Sequence, residues 1–231
     1  MTIREAIHDY LHWLSSTGEQ SDDTDTSPIA LYQALLKSRA VVMTQLINAG
    51  AKINEEAYQV LRCIDLEEVD IVECPFVPKS GCVWLKSTCA LPETIKIQSV
   101  SRLLGEGYSY VRWDKTKEKV GGRLKSAAKE KFYSLRTIGG KTYLYIYNDE
   151  TIKSITATAI FEDPIEATLF CGDNEEVKCN PIDTSFHTPQ SLLDSIIKQT
   201  WDSTIRVRAQ AKMKALNNDS PVDQTTQVPK R

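Results

Sequence analysis

His8 and His12 stand four apart, the spacing at which two imidazoles on one helix face share a metal ion. The residue after His8 is Asp9, so H-E-x-x-H is absent, and the pair reads as two polar side chains on a solvated face. Asp22, Asp23 and Asp25 suggest calcium, but the glycine and closing glutamate of a calcium loop are missing. The six cysteines (Cys63, Cys74, Cys82, Cys89, Cys171, Cys179) contain no C-x-x-C pair. Without an export signal they are expected to be free thiols, ahead of a metal held by Cys74, Cys82 and Cys89. His187 lies near Asp183 and Ser185, too little for a nucleophilic triad. Glu67-Glu68 and Glu175-Glu176 are sequence neighbours, whose side chains diverge in extended chain. Gly105-Glu106-Gly107 is too short to cradle a phosphate, and no P-loop, dinucleotide fingerprint or nucleophile elbow occurs. The expectation is a protein that is not an enzyme and binds no cofactor or metal.

Composition narrows the remaining classes. The 231 residues suffice for one large domain or two small ones, and hydrophobic (41%) and charged (26%) contents are ordinary. A net charge of -3 argues against a protein that coats nucleic acid by bulk electrostatics. No apolar run reaches the roughly 18 residues of a membrane helix, and MTIREAIHDY has no signal-peptide core. A cytoplasmic site of synthesis is expected, with no membrane partner.

The elements that would position any site are clearest at Lys131–Pro164. Gly139-Gly140 predicts a tight hairpin between Lys131–Thr137 and Lys141–Tyr147. Tyr143, Tyr145 and Tyr147 alternate with Leu144 and Ile146, which puts them on opposite faces of a strand. Asn148-Asp149 marks a turn, Thr151–Phe161 is β-branched at six of eleven positions, and Pro164 stops the run. A three-stranded antiparallel meander is expected.

Upstream, Thr2 to Glu5 reads as a capping box opening a helix striped by Ile3, Ala6, Ile7, Tyr10, Leu11 and Leu14. Glu19–Ser27 is a solvated acidic loop. Ser27-Pro28 opens a second helix, which Gly50 ends. Ala57–Val72 mixes helix and strand signals and is read as strand. Short strands are expected at Cys82–Ser87, Thr94–Val100 and Tyr108–Trp113. Lys115–Lys131 holds seven basic residues against two acidic ones, with a short helix near Leu124–Glu130. It is read as a solvated insertion; its alternative role is contact with DNA or an acidic neighbour through Lys115, Lys117, Lys119, Arg123 and Lys125. Phe170–Pro181 is a polar loop. Thr188-Pro189 opens a last helix striped by Leu192, Leu193, Ile196, Ile197, Thr200, Trp201, Thr204 and Ile205, with Arg206, Arg208, Lys212 and Lys214 at its end. Asn217–Arg231 is a disordered tail or one that folds on a partner.

The predicted fold class is α+β, a mainly antiparallel β core with helices at the N- and C-terminal ends. The predicted division is a helical hairpin at 1–53, a β core at 54–181 carrying the basic insertion at 114–131, a helix at 182–216 and the tail at 217–231.

Several segments occur in an order that resembles the head-to-tail connector ring proteins of crAss-like bacteriophages. They are Ser21–Asp23 followed by Ile29–Ala40, then Leu61–Cys74, Ser80-Gly81-Cys82, Leu91-Pro92, Phe161–Pro164 and the helix behind Thr188-Pro189. Helices at both chain ends around a β domain are also similar, more distantly, to the adaptor proteins of T7-like podophages. The basic insertion and the tail match neither pattern.

The resemblance implies a virion subunit assembled in the bacterial cytoplasm, forming a homo-oligomeric ring of twelve copies below the portal. It would contact the portal and further ring or tail proteins, around a channel through which genome DNA leaves. Trp201, Ile205, Arg206 and Arg208 are the candidate subunit or partner contacts. A tail-tube or head-decoration protein is the alternative, and a cytoplasmic enzyme or adaptor stands behind both.

Overall fold

A computed structural model describes residues 1–16, 27–70, 73–74, 84–103, 105–121, 130–170 and 185–205. The first helix, α1 (Ile3–Ser16), starts at the predicted capping box: Glu5 N–H donates to Thr2 Oγ1 at 3.2 Å and Thr2 N–H donates to Glu5 Oε2 at 2.7 Å. The second, α2 (Pro28–Asn48), has Ser27 at its N-cap, Oγ accepting from Ala30 N–H at 3.3 Å. It ends at Gly50, whose φ of 70° lets Gly50 N–H bond Ile47 O and Ala51 N–H bond Leu46 O.

Seven strands follow: β1 (Gln59–Glu68), β2 (Trp84–Ser87), β3 (Thr94–Arg102), β4 (Ser109–Tyr110), β5 (Phe132–Ile138), β6 (Lys141–Tyr147) and β7 (Ser154–Phe161). They form one sheet in the order β3-β7-β1-β2-β6-β5-β4, antiparallel except where β4 runs parallel to β5. Three further helices, α3 (Thr116–Gly121), α4 (Pro164–Phe170) and α5 (Gln190–Thr200), complete the described chain. The class is α+β with helices at both ends, as the sequence predicts.

The hairpin of β5 and β6 forms as expected, with Gly139 and Gly140 at φ 58° and 80°, values that suit glycine in a two-residue turn. Leu144 and Ile146 enter one apolar cluster, Tyr145 and Tyr147 another, so β6 is buried on both faces. The meander, however, does not form. β7 pairs with β1 and β3, and β1 and β2 separate it from β6. The chain leaves β6 at Asn148 (φ 61°) and turns as expected, Ile152 N–H donating to Asp149 O at 3.2 Å, while the buried carboxylate of Asp149 is held by Arg102, Tyr108 and Lys131; the turn carries the chain away from β6 instead of back along it. β7 consequently begins at Ser154, later than Thr151.

One face of the sheet is the main core, taking Leu61, Ile64, Leu85, Val100, Tyr133, Leu144, Ile146, Ile155, Ala157, Ala159 and Phe161 from β1, β2, β3, β5, β6 and β7. Leu61 and Ile64 are three apart, which in a regular strand would place them on opposite faces; a register shift between them brings both inside. That bulge explains why Ala57–Val72 carries a helix-like spacing.

On the opposite face of β2, β5 and β6, Trp84 lies at the centre of a ring cluster. Its centroid is 5.5 Å from that of Phe132, 5.0 Å from Tyr147 and 5.7 Å from Trp113. The predicted strand Tyr108–Trp113 is shorter than expected, because Trp113 instead starts a 3-10 turn (Trp113–Lys115) that leads into α3. Residues 122–129 lie outside the described chain, so the helix expected near Leu124–Glu130 does too, apart from Glu130, which is not helical. The loop residues 17–26 and 171–184 and the tail 217–231 also lie outside it.

α4 is a helix the sequence reading missed. Asp163 Oδ1 accepts from Ile165 N–H at 2.8 Å and Pro164 opens the helix, so Pro164 begins an element as well as ending a strand. Phe170, assigned above to a loop, is its last residue.

The two ends of the chain meet. Phe186 N–H donates to Met1 O at 2.9 Å and Thr2 bridges Ser185, and α1, α2, Phe186 and α5 share one apolar cluster. Met43, Ile47, Ile160, Ile95 and Leu192 then join α2 and α5 to β7 and β3.

Cys89 is a free, exposed thiol, but Cys74 is disulfide-bonded, to a cysteine whose side chain is outside the described set. The expectation of six free thiols is therefore corrected. C-x-x-C counting addresses metal sites and says nothing about pairs that the fold brings together.

Candidate assembly interface

α5 turns its stripe into the helical cluster: Leu193, Ile196, Ile197 and Thr200 are buried, and Leu192 is partly so. Its opening differs from the predicted one. Pro189 is the N-cap and Thr188 makes no cap, because Thr188 Oγ1 accepts from Arg39 Nε at 3.1 Å and donates to Phe186 O. At the other end, the hydroxyls of Thr200 and Ser203 donate to the carbonyls of Ile196 and Gln199 at 2.7 and 2.6 Å. Hydroxyls bonded back in this way loosen a helix, and here the last turn, Trp201–Ile205, widens to a π turn.

Of the four candidate contact residues, Trp201 is described in full. It is half-buried, its ring edge-on to Trp13 at 6.0 Å, and Trp13 in turn stacks on Tyr10. Trp201 thus seats the end of α5 on α1 while keeping part of its ring exposed. Ile205 closes the π turn, though its side chain is outside the described set, as are Arg206 and Arg208. Large apolar side chains stand exposed elsewhere on the helical layer: Ile29 at 65% and Val41 at 42% on α2, and Leu11 at 41% on α1.

The basic candidates divide differently. Trp113 anchors the start of the run, its ring 4.7 Å from Tyr145 with the Arg136 guanidinium 5.0 Å above it. Lys115 pairs with Glu118 at 3.0 Å and Lys119 with Glu130 at 2.6 Å, so two of the five candidate cations already face acids. Lys117 is exposed; Arg123 and Lys125 lie outside the described residues.

Three polar features escaped the sequence reading. The first is Arg39, fully buried in α2. Its guanidinium donates to Thr188 Oγ1, to the carbonyls of Phe161 at 2.6 Å and His187 at 3.0 Å, and more weakly to that of Glu162. Burial lowers its pKa to about 10 despite the favourable fields of Tyr32 and Asp163. It bolts α2 to the end of β7 and to the approach to α5. A signal was present: Leu35, Arg39, Val42 and Met43 fall on one helical stripe, so Arg39 occupies a core position.

The second is Asp149. Burial alone would raise its pKa, but hydrogen bonds from Arg102, Tyr108 and Lys131 outweigh that and hold it below the ordinary value. The Tyr108 hydroxyl, which donates at 2.6 Å, is pushed up to about 12 by burial and by that carboxylate. Nothing in an Asn-Asp turn pair predicts this role.

The third is a groove of about 440 Å³ between α2 and the β7–α4 corner, lined by Lys37 and by Glu93, Glu162, Asp163 and Glu166. Burial first, then the neighbouring carboxylates, raises the pKa of Glu162 and of Glu166. The corner is a standing surplus of negative charge.

No helix among the described residues is long and apolar enough to cross a membrane, and no group of three or more His, Cys, Asp or Glu among them could hold a metal ion. No curated protein matches the chain. The family model described as phage tail ring protein 2 matches residues 7–225, from α1 through the β core and α5 into the C-terminal tail. That family is structural, its place is the phage virion, and its assemblies are made with other tail proteins. Over nearly its whole length, therefore, this chain belongs to the phage tail ring protein 2 family of crAss-like phages.

Proposed function

We propose that the protein is a non-catalytic subunit of a homo-oligomeric ring, twelve copies around, in the connector between portal and tail, through whose channel the genome passes. The match over residues 7–225 is the observation that carries this reading. The helical layer built from both ends of the chain is the contact unit, and the end of α5 is its centre. Trp201 and Ile205 supply apolar anchors there, Arg206 and Arg208 the charges, and the acidic groove at Glu93, Glu162 and Glu166 offers complementary carboxylates on the next copy. Subunit interfaces in obligate rings commonly bury more than about 2,000 Å². A lone subunit is expected to stay monomeric and to close into a ring on a preformed neighbour.

The test is assembly. Ile205→Asp combined with Arg206→Glu and Arg208→Glu leaves Leu193, Ile196, Ile197 and Thr200 in place, so circular dichroism should match the wild type. Electron microscopy of particles made with it should find the ring missing or depleted. Normal occupancy would remove this face from the interface. Wild-type particles without the protein between head and tail would remove the function.

A further inference from the structure

The curled sheet has a seam. After β3 the chain turns back, and Gly107 and Tyr108 run antiparallel to it, with Ser101 bridging Gly107 and Tyr108 N–H donating to Val100 O at 2.8 Å. β4 then pairs with the start of β5, and Val111 N–H reaches Tyr133 O at 2.9 Å. One short stretch, residues 107–111, therefore links β3 to β5 at one end of the sheet. At Trp113 it swings away into the 3-10 turn.

Beyond that point the seam stands open. Among the described residues no strand pairs with the outer edge of β3 from Thr94 to Ser99 or of β5 from Leu135 to Ile138. Between them lies a groove of about 350 Å³, whose lining includes Thr94, Lys96, Ile97, Tyr110, Leu135 and Thr137. Two strand edges with no partner among the described residues, lining one groove with apolar side chains, form a template for an added strand.

We propose that this seam is filled by strand addition, and that the added strand is Val222–Val228 of a neighbouring copy. The inference rests on the ring reading above. The segment V-D-Q-T-T-Q-V has four β-branched residues in seven and is bounded by Pro221 and Pro229, neither of which can donate to a ladder. Seven extended residues span roughly 23 Å, enough to run the length of the open edges. Its one charged residue, Asp223, complements Lys96, the one charged residue of the groove lining. From Ile205 to Val222 the chain reaches up to about 55 Å. A folded chain of this length is about 45 Å across, so the segment has reach enough for a neighbouring subunit. Donation from each copy to the next would link the ring head to tail.

The test places photoreactive benzoylphenylalanine at Tyr110, 54% exposed at the groove rim, and irradiates assembled particles. Covalent dimers with the adduct mapped to Val222–Val228, lost in a Thr226→Pro background, are the expected result. Adducts within one chain, adducts elsewhere, or none while the protein is present in the particle would overturn the proposal. Absence of the protein from wild-type particles would instead condemn the ring reading. Should the Tyr110 replacement not enter particles, hydrogen exchange of the Leu135–Ile138 amides in wild-type and Thr226→Pro particles decides. Protection lost in the variant supports donation, and unchanged exchange refutes it.

Discussion

Arg39 and Asp149 each hold together parts that sequence separates widely. Replacing Arg39 by Met keeps much of the side-chain volume but leaves the carbonyls of Phe161 and His187 without their buried donor. A loss on the order of 3 kcal/mol is expected in urea denaturation, and Arg39→Lys should recover only part of it, since an ammonium lacks the planar fork. Asp149→Asn should cost about 2 kcal/mol near pH 7, as Arg102 and Lys131 lose their shared anion. The pH dependence has a definite sign. The folded pKa of Asp149 lies below the unfolded one, so its contribution is complete above the unfolded value, near 4, and fades as pH falls through the folded value. Wild type and Asp149→Asn should therefore converge in stability under acid, a comparison that thermal melts between pH 2 and 7 can make.

Trp113 gives the corresponding experiment for an element. Its ring is what seats the 3-10 turn and α3 on Trp84 and Tyr145. Trp113→Ala should cost about 2–3 kcal/mol, below the range for a fully buried ring because this one is partly exposed. It should also make Lys115–Lys119 an early trypsin site; an unchanged cleavage pattern would mean that α3 is held by something else. The sequence announced Trp113 only as the end of a strand, because its partners arrive from β2 and β6. Elements written in local chemistry were legible: the capping box at Thr2 to Glu5, Ser27-Pro28, and the Gly139-Gly140 hairpin. Those depending on distant pairing were not. Nothing near Asn148 records that β1 and β2 intervene before β7, and no spacing rule reveals which cysteine meets Cys74. The candidate interface was half legible: the stripe of α5 was readable, while the diversion of Thr188 from cap to Arg39 partner required the fold.

For the whole molecule, thiol titration is a direct check. The denatured, unreduced chain should yield at most four reactive thiols and, after reduction, six. Six before reduction would exclude the Cys74 bond. The junction of the chain ends has another bearing, on the order of events during synthesis. The carbonyl of Met1 pairs with the amide of Phe186, and α1 and α2 pack around α5. On the ribosome the first two helices emerge long before their partner is translated, and such long-range closure is slow to form. Nascent or prematurely terminated chains would lack the finished helical layer. Only a polypeptide translated through α5 can close the layer, and under the ring reading proposed above that closure would proofread each subunit before it joins a growing particle.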